Sequence, residues 1–117
     1  MGVDPPSSRP AQVTLGVRAF SLAPRTPRAG RPATLTLRLA TNDADRVAQG
    51  RFSCVVRAGA TRLRTVLRVV PRAKGEPVAL RCAWHVPRAA RGRMLRAALR
   101  AVTAGRVAAR RIDRRIS

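Results

Sequence analysis

The stretch Leu80-Arg81-Cys82-Ala83-Trp84-His85-Val86-Pro87-Arg88-Ala89-Ala90-Arg91-Gly92 holds the second of two cysteines, the only tryptophan and the only histidine of the chain. Read at period two, it sets Leu80, Cys82, Trp84 and Val86 on one face and Arg81, Ala83 and His85 on the other. Successive side chains of a strand point to opposite sides of its sheet, so this alternation predicts a half-buried strand. Pro87 offers no N–H to a ladder and ends it. Upstream, Arg51-Phe52-Ser53-Cys54-Val55-Val56-Arg57 alternates in the same way, with Phe52, Cys54 and Val56 on the apolar side. Two core strands therefore carry one cysteine each.

Further strands follow outward from this pair. Ala33, Leu35, Leu37 and Leu39 alternate with Thr34, Thr36 and Arg38, the cleanest strand pattern in the chain. Val13, Leu15 and Val17 alternate as well, but Phe20 and Leu22 continue on the opposite parity, which predicts a bulge or sheet switch near Ala19. Thr61 to Val70 reads as one strand, with Leu63, Leu67 and Val69 on one face and Arg62, Arg64 and Arg68 on the other. Between these segments lie the turn region Pro24–Pro32, the hairpin candidate Ala58-Gly59-Ala60 and the turn Pro71–Pro77. Asn42–Asp45 reads as an Asx-type turn; its two aspartates have no further carboxylate nearby to complete a calcium site. Residues 1–11, rich in Pro and Ser and without periodicity, read as a flexible lead or linker to a domain over residues 12–117.

Residues 93–104 are ambiguous. Met94, Leu95, Ala98, Leu99 and Val102 fit helical spacing, and Ala, Leu, Met and Arg are good helix formers. Strand alternation fits too, with Leu95, Ala97, Leu99 and Ala101 inward. Local propensity alone favours the helix. Val107 to Ile116 ends the chain, with Ile112 and Ile116 spaced for burial and four arginines crowded around Asp113.

Seven or so short segments separated by Pro/Gly turns point to an all-β sandwich. The blocks Gly50-Arg51-Phe52-Ser53-Cys54-Val55-Val56 and Cys82 to Arg96, with its C-x-W-x-V-P start and downstream Gly92 and Leu95-Arg96, resemble the bacterial immunoglobulin-like domains of secreted and surface proteins from GC-rich bacteria. The likeness spans roughly residues 12–116 and includes the Pro/Ala/Gly turn before the Leu35 strand. It implies an immunoglobulin-like antiparallel β-sandwich of about seven strands, and a strand rather than a helix over 95–103. Ala97-Ala98-Leu99-Arg100-Ala101 departs from the β-branched closing strand of that family. The expected core comprises Leu35, Leu37, Phe52, Leu80, Trp84 and Leu99.

Two cysteines with a single histidine do not complete a zinc site. Their separation of 28 residues matches no CxxC redox spacing. Cys54 and Cys82 either close a disulfide between facing strands or remain two inert buried thiols. Their placement on the apolar sides of two strands favours the disulfide. A bridge closing this loop contributes about 3–4 kcal/mol and implies an oxidising compartment. The expected location is therefore extracytoplasmic, secreted or at the cell surface. Yet the opening Met1–Pro10 lacks the apolar region of a signal peptide. The expectation is a module of a longer protein, a processed form or a misplaced start. No apolar run approaches the roughly 18 residues of a membrane span, so membrane insertion is not expected.

At 117 residues the chain is one domain, long enough to bury about two-thirds of its unfolded surface. Its formal charge of +20 is uneven: residues 1–50 carry a balance of +4 and residues 51–117 one of +16. Such a surface attracts nucleic acid, anionic lipid and acidic polymers. However, twenty-four arginines against one lysine, with abundant alanine, indicate GC-rich coding, which weakens the charge as a sign of function. Arg62, Arg64, Arg68, Arg96 and Arg100 are the candidate polyanion-binding residues.

Catalysis has little support. His85 falls on the solvent side of its strand, with no partner to orient it as a base. Ser53, beside Cys54, has no base either. No phosphate loop is present, and no cofactor or metal is expected. The expected function is a non-enzymatic extracytoplasmic immunoglobulin-like module, serving as a spacer, adhesion or recognition unit toward an anionic polymer or another surface protein. The alternatives are a basic nucleic-acid-associated protein that holds phosphates without sequence readout, and an accessory module for anionic cell-wall polymer or polysaccharide. Single-strand binders stack bases on exposed aromatics, and the three aromatics here read as buried.

Overall fold

The computed structural model describes residues 12–70 and 78–117. The expected lead over residues 1–11 and the turn Pro71–Pro77 lie outside the described residues. Eight strands run in chain order as β1 (Leu15–Ala23), β2 (Pro32–Thr41), β3 (Arg51–Ala58), β4 (Thr61–Arg62), β5 (Val66–Val70), β6 (Val78–His85), β7 (Met94–Thr103) and β8 (Arg106–Arg115). A short helix α1 (Ala44–Ala48) and a 3-10 turn at Arg88–Ala90 complete the elements. The strands form two antiparallel four-stranded sheets, in the orders β1-β2-β6-β5 and β4-β3-β7-β8. This is a β-sandwich, and its strand order is that of the immunoglobulin type.

The core lies between the sheets and is aliphatic. Leu35, Leu37 and Leu39 of β2, Leu80 and Cys82 of β6, Val56 of β3, and Leu95 and Leu99 of β7 are all buried in it. Trp84 is buried beside them, whereas Phe52 is only half-buried and packs against the cluster's rim. The ambiguous segment is strand β7. Its inward residues Leu95, Ala97, Leu99 and Ala101 are buried and its outward Arg96 and Arg100 exposed. Here pairing on both sides, with β3 and β8, overrides the local helix propensity.

Cys54 of β3 and Cys82 of β6 form a disulfide with Cα atoms 6.5 Å apart. It crosses from one sheet to the other through the core. In antibody domains the inter-sheet bridge joins strands B and F, whose counterparts in this strand order are β2 and β7; here it joins β3 and β6 instead. Trp84 follows Cys82 on the same face, and its Nε1–H is buried without an acceptor among the described residues. Packing rather than a hydrogen bond holds the ring.

The expected irregularity in β1 is a bulge at Arg18. The pairing with β2 shifts between Val17, opposite Leu39, and Ala19, opposite Arg38. The extra residue lets Val17 before it and Phe20 and Leu22 after it all reach the core side. Ala58-Gly59-Ala60 makes the expected hairpin, with Ala58 opposite Thr61 and Gly59 at φ 60°. The polar stretch before Gly50 does more than turn. Asp43 caps α1 by accepting from the Arg46 N–H at 3.2 Å. Gly50 then passes so close to β7 that a Cβ would stand 2.6 Å from the Val102 carbonyl oxygen.

The single strand expected over Thr61–Val70 is the main correction. The chain breaks after β4 and crosses to the other sheet. Leu63 makes one more backbone bond, donating to Val56 O at 2.8 Å, and buries its side chain at the crossing point. Beyond it, β5 pairs with β6. This break is why the sandwich has eight strands rather than about seven.

Candidate functional site

Strand register sets which side chains share an outer face. On β4-β3-β7-β8, Arg62 stands opposite Arg57, Arg57 opposite Arg96, and Arg96 opposite Asp113. Neighbouring strands are about 4.8 Å apart, so three guanidinium groups follow one another across roughly 10 Å of sheet before the carboxylate ends the row. The next row is Val55, Ala98 and Arg111, and the one after it Ser53, Arg100 and Ala109. Arg51 and Arg115 lie at the two ends of the same face. Among the described residues, seven arginines therefore share this face with a single acid, Asp113.

Between the arginines the sheet is shallow. Val55 and Ala98 form a small-residue floor to a depression of about 500 Å³ rimmed by Arg57, Arg96, Arg111 and Asp113. Small side chains form the floor, and the arginines around it are exposed to solvent. Planar guanidinium groups match sulfate, phosphate and carboxylate oxygens in paired hydrogen bonds and stay charged at any physiological pH. Like charges placed directly opposite each other on a sheet are destabilising, and Arg57 has an arginine on both sides. An anion laid along the row removes that repulsion.

The five arginines named from the sequence do not share a surface. Arg62, Arg96 and Arg100 lie on this face. Arg68 is opposite Arg81 on the outer face of the other sheet. Arg64 is exposed in the crossing between β4 and β5. Arg57 and Arg111 complete the site and were missed. The signal was present for Arg57, which alternates outward from Cys54, but its pairing with Arg96 depends on long-range register. Arg111 depends on the register of β8, a strand whose alternation is obscured by arginines on both parities. Arg110 and Arg114 have inward parity, opposite Leu99 and Leu95, yet they are exposed because β8 is the sheet's edge. Inward charges on an edge strand discourage pairing with another sheet.

Other candidate groups are dispersed. His85 is exposed opposite Pro32 on one sheet, and Ser53 is exposed opposite Arg100 on the other. Among the described residues no group of three or more His, Cys, Asp or Glu side chains stands ready to hold a metal, and no helix is long and apolar enough to cross a membrane. No protein-family model matches the chain, and no curated protein matches it.

Proposed function

We propose that the protein is a non-enzymatic, extracytoplasmic immunoglobulin-like module that recognises a linear anionic polymer through the outer face of β4-β3-β7-β8. The row Arg62–Arg57–Arg96 carries this reading. Three like charges in register weaken an empty sheet, and a chain of sulfate, phosphate or carboxylate groups laid across the strands is the ligand that converts this into attraction. The Cys54–Cys82 bridge supports the extracytoplasmic part, since such bonds persist in oxidising compartments. The resemblance to bacterial immunoglobulin-like domains of secreted and surface proteins agrees with the extracytoplasmic part.

The same face also favours a second reading, a nucleic-acid-associated protein held by phosphates. The floor of the site argues for the first. Val55 and Ala98 offer no ring on which a base stacks, and Trp84 is buried in the core. The test is a fluorescence titration across salt with a sulfated polysaccharide, a poly(glycerol phosphate) and two DNA duplexes of unrelated sequence. All should bind with log K falling linearly in log salt, the two duplexes alike and no tighter than about micromolar at physiological salt. Nanomolar binding that prefers one duplex replaces the first reading with the second.

A further inference from the structure

We propose that the sandwich carries a second oxyanion seat on its opposite face, built from Arg38, Arg68 and Arg81, so that one domain bridges two separate anionic chains. The proposal rests on the reading of the first face as a polymer-binding surface, and it assigns a site and a cross-linking activity that the first face alone does not supply.

The second seat follows from register on β1-β2-β6-β5. Arg81 of β6 stands between Thr36 of β2 and Arg68 of β5. Arg38 lies one row away, opposite Ala79, and so diagonal to Arg81. Diagonal neighbours on a sheet remain within reach of long side chains. All three arginines are exposed. Among the described residues no acid lies in any row of this face. Arg68 and Arg81 repeat the motif of the other side: two like charges directly opposite each other beside a floor of small residues. Thr34, Ala83, Val66 and Val70 line a depression of about 560 Å³ there, together with Arg68 and Arg81. The hydroxyls of Ser21 and Thr36, paired in the same row as Arg81, add neutral donors to an oxyanion's remaining oxygens.

The two seats look in opposite directions. Sheets of a sandwich pack about 10 Å apart, and the outer side chains add to that separation. A short anionic oligomer lying on one face does not reach the other without turning around an edge of the sandwich. Each face therefore holds its own ligand, and a long polymer mixed with the protein becomes cross-linked rather than merely coated. Counted over the whole faces, Arg18, Arg38, Arg68 and Arg81 stand against seven arginines on the other side, which makes the second seat the weaker one, filled after the first.

The experiment uses a sulfated hexasaccharide as a probe, titrated into the intact protein at low salt and read by calorimetry. A phosphodiester hexamer of glycerol phosphate forms a second arm to separate sulfate from phosphate sources. The expected result is two hexasaccharides per protein. A mixture of donor- and acceptor-labelled hexasaccharides should then show energy transfer that depends on the protein. The variant R68Q/R81Q should bind one hexasaccharide with unchanged affinity and lose the energy transfer. The variant R57Q/R96Q/R111Q should keep only the weaker equivalent. All these positions are exposed, and circular dichroism checks that each variant keeps its fold. One hexasaccharide on the wild type, abolished by R57Q/R96Q/R111Q, overturns the second seat and leaves the first standing. Two hexasaccharides that R68Q/R81Q does not reduce also overturn it. Absence of any binding overturns both readings.

Discussion

Among the described residues the outer face of β4-β3-β7-β8 presents seven arginines and one aspartate, whereas that of β1-β2-β6-β5 presents Arg18, Arg38, Arg68, Arg81 and His85 among threonine, serine, alanine and valine. Both sheets have the same number of strands, and both inner faces are aliphatic. A coding bias toward arginine raises its frequency wherever solvent tolerates it. Such a bias does not choose a face, and it does not place Arg62, Arg57 and Arg96 in one row. The difference between the faces is therefore more informative than the net charge of +20. It separates the part of the arginine content that composition explains from the part that the proposed ligand would explain.

The largest expected effect removes both faces at once. Leu99 is fully buried on β7, opposite Cys54. Leu99→Asp places an unpaired charge in the core and should cost on the order of 4 kcal/mol or more. Thermal unfolding by circular dichroism should show no cooperative transition, and binding should become that of an unfolded basic chain. Next comes the bridge between the sheets. Replacing both cysteines with alanine should lower stability in guanidinium by about 3–4 kcal/mol. Where that variant remains folded, the order in which the two faces fill should not change.

Smaller effects distinguish the faces. Arg57→Gln alone should reduce the slope of log K against log salt by about 1 for the first ligand bound, the share of one lost contact. R68Q/R81Q should leave that slope untouched. The smallest effect has the opposite sign to the binding loss. Arg57→Thr relieves repulsion from arginines on both sides and should raise stability at low salt by about 0.5 kcal/mol. Arg81→Thr, with one arginine directly opposite, should raise it by less. Both gains should vanish near 1 M salt, where the screening length falls to about 3 Å. Equal gains from the two substitutions would erase the distinction between the faces.

Much of the fold was legible because burial imposes period two. The stretches around Leu35, Cys54 and Cys82 fixed their inward residues without any structure, and the parity change before Phe20 announced the bulge at Arg18. Strand β7 was not legible locally, because its alanines and leucines suit a helix; its identity came from the neighbours it pairs with. The candidate site was legible only in part, for a geometric reason. Parity tells an outward residue from an inward one, but a sandwich has two outward directions. Arg62 and Arg68 share a parity along the chain, yet the crossing at Leu63 sends them to opposite faces. Only the pairing of β5 with β6 shows this, and pairing is long-range. Arg111 was hidden by the arginines on both parities of β8, where an edge strand escapes the alternation that burial enforces elsewhere.

The central claim is that the β4-β3-β7-β8 face is the primary seat of an anionic chain. Amide chemical-shift mapping tests it most directly, using isotopically labelled protein and the sulfated hexasaccharide added in fractions of an equivalent. The account predicts that the first equivalent moves the amides of Arg57, Arg96, Ala98 and Arg111, with those of Arg68 and Arg81 following only as the second is added. First shifts at Arg68 and Arg81, or small shifts spread evenly over every exposed arginine, would contradict it.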